Sequence, residues 1–134
     1  MADPVGPDRG REPVILIVDD DDYVPTTLTA ALRGLRPAII RATRAEEGLA
    51  QALAHRPAVA IVDVGLPDMD GYALTRRLRE RAELADMRIC ILTGHLPDEE
   101  AAQAAGADAI VGKPFRLKAI VDTIDGLLRT RRTA

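Results

Sequence analysis

Five short apolar runs, each followed by a segment of helical periodicity, constrain the fold of this chain more than any other feature. The runs are mostly β-branched and shorter than helices, which is typical of strands buried on both faces. They are VILIV (14–18), AII (38–40), AVAIV (58–62), RICIL (88–92) and AIV (109–111). A strand followed by a helix, repeated five times, predicts a parallel sheet with helices on both faces, an α/β fold of three layers.

Apolar residues recur at helical spacing between these runs. The clearest stripes run from Val24 to Leu35, from Ala45 to Leu53 and from Leu117 to Leu128. A helix near 71–82 carries Arg76, Arg77, Arg79 and Arg81, which predict a solvated basic face. A fourth helix, near 98–105, is mostly alanine and is followed by Gly106, a suitable C-terminal cap.

Length and composition predict one folded domain and no unusual partner. The 134 residues suit a single core, which we place at residues 13–131, after a disordered lead-in at residues 1–12 that is rich in Pro, Gly and charge. A net charge of -3 predicts no direct contact with nucleic acid or membrane. The start of the chain resembles no signal peptide and Cys90 is the single cysteine, so we expect a cytoplasmic protein with Cys90 buried as a small hydrophobe.

Polar side chains follow four of the predicted strands. The first strand ends at Asp19 and Asp20, the third at Asp63, the fourth at Thr93 and the fifth at Lys113. Because the carboxyl ends of parallel strands meet at one edge of a sheet, where such folds bind ligands, we expect these side chains to converge.

The chemistry of this set indicates a phosphorylation site that uses magnesium. Carboxylates are the oxygen ligands that Mg²⁺ prefers, and a cation turns their mutual repulsion into a common attraction. Without the cation, at least one carboxyl group is expected to have a raised pKa. A metal ion, an ammonium group and a hydroxyl can share the negative charge that develops when a carboxylate attacks a phosphoryl group.

Four segments in order resemble the receiver domain of two-component response regulators. They are ILIVDDD (15–21), AIVDVGLPDMDG (60–71), ILTGH (91–95) and GKPF (112–115), and the resemblance covers about residues 13–130. It implies a flavodoxin-like (βα)5 fold with sheet order 2-1-3-4-5, similar to a stand-alone chemotaxis regulator. It also implies a non-enzymatic signalling domain, in which the protein catalyses only its own phosphorylation and dephosphorylation.

The resemblance assigns a role to each residue of the set. Asp63 would accept the phosphoryl group, while Asp19 and Asp20 would hold Mg²⁺ together with Asp63 and the backbone carbonyl of Gly65. Thr93 would be the switch hydroxyl. Lys113 would pair with the phosphoryl group, and the bond before Pro114 would be cis.

Ile110 departs from the family pattern. Receivers usually carry an aromatic residue three positions before the lysine, and its ring moves inward with the threonine. An isoleucine at this switch position offers no hydroxyl and little change of shape, so the signal would instead pass through loop ordering or through the face of the fourth helix, fifth strand and fifth helix.

The partners implied by the family are proteins. A histidine kinase or histidine phosphotransfer protein would donate the phosphoryl group, a downstream protein would bind the face of the fourth helix, fifth strand and fifth helix, and a homodimer is possible. Two alternatives stay open within this family: a receiver-like interaction module that does not cycle phosphate, and a receiver cut from a larger hybrid kinase or regulator. A third is a phosphatase with an aspartyl-phosphate intermediate, although such enzymes usually carry an acid where this chain has Gly65.

The run of four aspartates at 19–22 is predicted to divide in two. Asp19 and Asp20 belong to the metal site. Asp21 and Asp22 begin the first helix, with Asp22 as its N-cap and Pro25 in its first turn.

Overall fold

The computed structural model describes residues 12–130, so most of the predicted lead-in, together with residue 131, lies outside the described residues. Strands and helices alternate along the chain. The strands are β1 (Val14–Val18), β2 (Ala38–Ala42), β3 (Val59–Asp63), β4 (Arg88–Thr93) and β5 (Ala109–Gly112). The helices are α1 (Tyr23–Ala31), α2 (Ala45–His55), α3 (Gly71–Arg79), α4 (Glu99–Ala105) and α5 (Leu117–Arg129).

The five strands form one parallel sheet in the order β2-β1-β3-β4-β5. This order confirms the predicted flavodoxin-like fold. Since β1 and β3 are neighbours and β4 lies next to β3, the ends of the strands that carry the acids and the threonine lie side by side.

Two apolar layers cover the sheet, because alternate residues of each strand point to opposite faces. Leu16, Val18, Val62 and Ile91 pack with α2, α3 and α4 on one face. The other layer combines strand and helix side chains, namely Ile15, Ile17, Ile61, Cys90, Leu92, Leu28, Ile120 and Ile124. The three predicted layers are therefore present. Cys90 is buried as expected, and desolvation raises the pKa of its thiol to about 12.

One helical prediction differs from the structure and another is confirmed. The first apolar stripe is not one helix to Leu35, because α1 ends at Ala31 and continues as a short 3-10 turn at Leu32–Leu35. Gly34 is a poor helix former and Arg36 takes a left-handed conformation with φ 55°, which closes the turn before Pro37. The predicted cap of α4 is confirmed, since Gly106 has φ 100°.

Arg79 contradicts the prediction that all four arginines near the third helix are solvated. Arg76, Arg77 and Arg81 are exposed, but the side chain of Arg79 is only 13% exposed and forms an ion pair with Asp108. Arg79 is the last residue of α3, so its guanidinium group reaches backbone carbonyls that lie beyond the helix.

Among residues 12–130, no helix is both long enough and apolar enough to cross a bilayer.

Candidate functional site

The carboxyl ends of four strands bring the predicted polar residues to one edge of the sheet. Asp19, Asp63 and Thr93 are 1%, 6% and 2% exposed, and they are three of the four buried polar side chains in the described part of the chain. Buried carboxylates are costly unless they are paired or bind a cation. Their concentration here marks this edge as the candidate site.

Lys113 lies at the centre of the group. Its Nζ is 2.6 Å from Oδ1 of Asp63 and 4.0 Å from Oδ2 of Asp19. Its backbone N–H donates to the carbonyl of Thr93, and the Lys113–Pro114 bond is cis, as the resemblance implied. Burial alone would lower the pKa of Lys113, but the hydrogen bond and the charge of Asp63 outweigh burial and raise the pKa.

Asp19 is a buried carboxylate with one oxygen that accepts no hydrogen bond. Oδ1 accepts the N–H of Asp21, whereas Oδ2 accepts no hydrogen bond within the described part of the chain. Desolvation, together with the charge of Asp63, raises the pKa of Asp19 to about 6. The expectation of a raised carboxyl pKa is confirmed. A buried carboxylate oxygen that accepts no hydrogen bond and lies 4.0 Å from the nearest ammonium group fits a site for a cation.

Three neighbouring aspartates form an oxygen cluster at the end of β1. One carboxylate oxygen from each of Asp19, Asp20 and Asp21 lies within 4.8 Å of the others. Asp19 is buried while Asp20 and Asp21 are exposed, so the cluster is open on its outer side. This donor set suits a hard divalent cation that keeps several of its waters.

The predicted division of the four aspartates is wrong in its helix cap, and it does not match the oxygen cluster, because Asp21 lies there with Asp19 and Asp20. Asp22 occupies the N-cap position of α1 without a side-chain cap, and its carboxylate instead binds Arg41 at 2.8 Å. Asp21 accepts the N–H of Val24, and this bond lowers the pKa of Asp21. The first helical turn therefore takes its acceptor from Asp21, one residue earlier than predicted.

Thr93 and Ile110 stand at the two positions for which the resemblance implied a switch. Oγ1 of Thr93 accepts the N–H of His95 at 3.1 Å, so the threonine is tied to the loop before α4. Ile110 pairs with Ile91 across β4 and β5 and is half-buried against the α2–α3–α4 layer. It also lines a groove of about 400 Å³ with α4 residues.

The loop after β3 is organised by carboxylates. The N–H of exposed Gly65 donates to Oδ2 of Asp63 at 3.1 Å, which orients the carboxylate toward the site edge. Asp70 caps α3 by accepting the N–H of Ala73.

Asp68 has a role that sequence reasoning missed. Its two oxygens accept the N–H groups of Ala45 and Glu46 at 2.8 and 3.0 Å, so it caps α2 from a distant loop. These bonds lower the pKa of Asp68. A signal was present, because Arg44 at the N-cap position of α2 offers no acceptor to the helix.

Gly71 holds α3 close to the backbone of the candidate phosphoacceptor. A Cβ at Gly71 would lie 2.5 Å from the carbonyl oxygen of Asp63 and 2.9 Å from Cα of Val64. Backbone at that distance must shift, so we expect Gly71→Ala to lower the free energy of unfolding by about 2 kcal/mol in urea titration. Gly126→Ala in α5 is the matched control, because a Cβ there meets nothing within 4 Å and a helical Ala is favourable. Equal midpoints for the two variants would contradict the close packing at Gly71.

Comparison with known proteins adds a family model and curated relatives. The model described as the response regulator receiver domain matches residues 15–125. The transcriptional regulatory protein PrrA of Mycobacterium tuberculosis is 33% identical over 121 residues, which is 89% of this chain and 51% of that protein. The chain thus spans about half the length of this relative.

Solved structures have the same fold. The chemotaxis protein CheY4 of Vibrio cholerae superposes with a TM-score of 0.80 and 26% identity, over 87% of this chain and 99% of that one. The receiver domain of the sensor histidine kinase PA1611 of Pseudomonas aeruginosa, solved with a magnesium ion coordinated in its active-site cleft, has a TM-score of 0.79 and 25% identity. It matches over 89% of this chain and 99% of its own.

Proposed function

Since this chain belongs to the response regulator receiver domain family, as its sequence motifs predicted, we propose that it accepts a phosphoryl group on Asp63 and thereby changes its binding to a partner. The observation that carries the proposal is the placement of the Asp63 carboxylate. It is buried, fixed by Lys113 and by the N–H of Gly65, and adjacent to a cluster of carboxylate oxygens that suits Mg²⁺.

The transfer is an in-line displacement at phosphorus. A carboxylate oxygen of Asp63 forms a bond to phosphorus while the bond from phosphorus to the imidazole nitrogen of the donor breaks, and that imidazole leaves with the electron pair. Nζ of Lys113 lies 2.6 Å from Asp63, and the hydrogen bond and charge of that carboxylate raise the pKa of the lysine despite its burial. It therefore stabilises the negative charge of the transferring oxygens.

The magnesium ligands would be Asp19, Asp20, Asp63 and the backbone carbonyl of Gly65. The bound cation would offset the charges of the three carboxylates and of the phosphoryl oxygens. The buried Oδ2 of Asp19, which accepts no hydrogen bond, supports this assignment. Support also comes from the PA1611 receiver, a relative by fold that holds magnesium in its cleft.

Magnesium affinity is expected to separate two aspartates that stand two positions apart. Asp20→Ala removes a proposed ligand and should raise the dissociation constant for Mg²⁺ by about ten- to a hundredfold. Asp22→Ala should change it less than about twofold, because Asp22 is not a member of the oxygen cluster and its exposed ion pair with Arg41 is worth little. Titration calorimetry measures both constants. Similar losses in the two variants would contradict the assignment.

Thr93 supplies the proposed switch. After transfer its hydroxyl would turn to donate to a phosphoryl oxygen, and the bond that it accepts from His95 would be lost. Ile110 cannot move inward with Thr93 as an aromatic ring would. The change at Thr93 would therefore pass through the loop before α4 to the face of α4, β5 and α5. That face would bind the downstream protein.

The wider setting follows from the family. The phosphoryl donor would be a histidine kinase or a histidine phosphotransfer protein, in the cytoplasm. We propose residues 13–131 as the receiver domain, with residues 1–12 as a lead-in. A homodimer through the α4–β5–α5 face is compatible with this scheme.

The proposal is tested by beryllofluoride, which mimics a phosphoryl group bound to a carboxylate, in the presence of Mg²⁺. We expect amide shifts in NMR spectra centred on Asp63, Gly65 and Thr93, and loss of these shifts in Asp63→Asn. Absence of any response to Mg²⁺ and beryllofluoride would instead favour an interaction module that does not cycle phosphate.

A further inference from the structure

The two ends of α4 are held in different ways. Residues 94–100, which include the start of the helix, are all exposed, and Leu96 is 92% exposed. Asp98 caps the helix by accepting the N–H of Ala101, and the loop is joined to the site through the bond from His95 to Thr93. This end is therefore linked to the site by one hydrogen bond to Thr93 and by the packing of Pro97 close to Gly112.

The C-terminal end of α4 is held by Arg79 of α3. Nε of Arg79 donates to the carbonyl of Gly106 at 2.8 Å, and NH1 donates to the carbonyl of Met87 at 2.6 Å. NH2 forms an ion pair with Oδ2 of Asp108 at 2.8 Å. The two charged side chains are only 13% and 9% exposed, so these charge-assisted bonds are shielded from water.

Asp108 extends this arrangement to β4. Its Oδ2 also accepts the N–H of Ile89, its own N–H donates to the carbonyl of Ile89, and Oδ1 lies 3.4 Å from Nε of Arg88. Gly106 is packed directly on Arg79, since a Cβ there would lie 2.7 Å from Cγ of the arginine. The end of α4 and the start of β4 are thus joined through one guanidinium group and one carboxylate.

We propose that Arg79 anchors the C-terminal end of α4, so that a rearrangement begun at Thr93 turns the helix about Gly106 and alters residues 94–100 while residues 106–108 stay in place. This inference rests on the proposed function, because phosphorylation would start the movement. A helix of seven residues is about 10 Å long, so a small turn about one end displaces the other end by more than any point between.

The anchor gives the groove beside Ile110 one fixed end and one movable end. Glu99, Ala102 and Gln103 of α4 line one side of the groove, while Asp108 lies at the anchored end. Turning α4 about Gly106 changes the width of the groove at Glu99 and leaves it unchanged at Asp108. The part of the α4–β5–α5 face that a partner senses is therefore the N-terminal half of α4.

Arginine is suited to this position for a chemical reason. Its planar group donates in several directions at once, here to three carbonyls and a carboxylate on two segments of chain, 84–87 and 106–108. Lysine would keep one charge near Asp108 but lacks the fork. The substitution Arg79→Lys is therefore expected to keep the fold intact and to weaken the anchor.

Amide hydrogen exchange of the full chain tests the anchor, with and without beryllofluoride and Mg²⁺. In the wild type we expect beryllofluoride to alter exchange at residues 94–100 and to alter the hydrogen-bonded amides of Gly106, Ala107 and Asp108 by less than about twofold. In Arg79→Met the same addition is expected to alter these three amides by about tenfold, because the helix is no longer held at that end. In Arg79→Lys the change in exchange at these amides should lie between that of the wild type and that of Arg79→Met.

Arg76→Met is the matched control, since Arg76 is exposed on the same helix, and it should behave as the wild type does. Equal changes at both ends of α4 in the wild type, or the wild-type pattern in both Arg79 variants, would overturn the anchor. Amide NMR shifts at Gly65 and Thr93 report whether beryllofluoride occupies the site. A failure of the proposed function is therefore seen at Gly65 and Thr93, and a failure of the anchor at residues 106–108.

Discussion

Asp63→Asn is expected to lower phosphoryl uptake from a phosphorylated histidine kinase by more than about a thousandfold, the scale on which removal of a reacting group acts. The amide of asparagine has nearly the same shape as the carboxylate but neither of its heavy atoms is a competent nucleophile. Its oxygen can still accept the N–H of Gly65, so the loop after β3 keeps a contact. The loss of phosphoryl uptake is therefore due to the missing nucleophile, and its size distinguishes Asp63 from residues that only shape the site.

Asp122→Asn is the matched control for this experiment. Asp122 is exposed on α5 and paired with Lys118 at 2.9 Å, outside the site. It should take up label at the wild-type rate. If Asp63→Asn were labelled as fast as the wild type, the assignment of the phosphoacceptor would be refuted.

Asp19→Asn is expected to raise the free energy of unfolding of the metal-free protein at pH 7 by about 2 to 3 kcal/mol, which corresponds to a shift of about two pKa units. The pKa of Asp19 is about 6 in the folded state against an ordinary value of 3.8, mainly because of burial. Between these values the folded state binds more protons than the unfolded state. The contribution of Asp19 is therefore most favourable below pH 3.8 and is lost as the pH rises through 6.

The difference in unfolding free energy between Asp19→Asn and the wild type reports the effect of this carboxyl group alone, because the other titrating groups are the same in both proteins. Urea titrations from pH 4 to pH 8 without metal should show that the advantage of the variant grows as the pH rises and then levels off above pH 6. Saturating Mg²⁺ should stabilise the wild type and not the variant, because a ligand that binds the folded state alone adds to stability. If the variant were less stable than the wild type at pH 7 without metal, burial of the charged Asp19 carboxylate would not destabilise the folded protein, and the account would be contradicted.

The sequence predicts the fold because its decisive signals are local. The β-branched runs specify five strands buried on both faces, and the strand ends specify where Asp19, Asp63 and Lys113 meet. The strand order came from the family resemblance, and the sheet confirms it.

Two contacts that sequence reasoning missed join positions far apart in the chain. Asp68 caps a helix that begins 23 residues earlier, and Arg79 reaches Gly106 across 27 residues. Neither partner can be read from a spacing of three or four residues, since each depends on how two helices pack against the sheet. The misplaced cap at Asp22 has a similar cause, because Arg41 on the neighbouring strand attracts that carboxylate away from the helix.

The most direct test of the central claim is to locate the phosphoryl group itself. The wild-type protein is incubated with a phosphorylated histidine kinase and Mg²⁺, digested, and its peptides are analysed by mass spectrometry after borohydride reduction, which converts an aspartyl phosphate to homoserine. We predict one modified residue, Asp63, and no modification when Mg²⁺ is removed by a chelator. Modification of any other side chain in place of Asp63, or an unmodified Asp63 in a kinase reaction that phosphorylates a known receiver, would contradict the account.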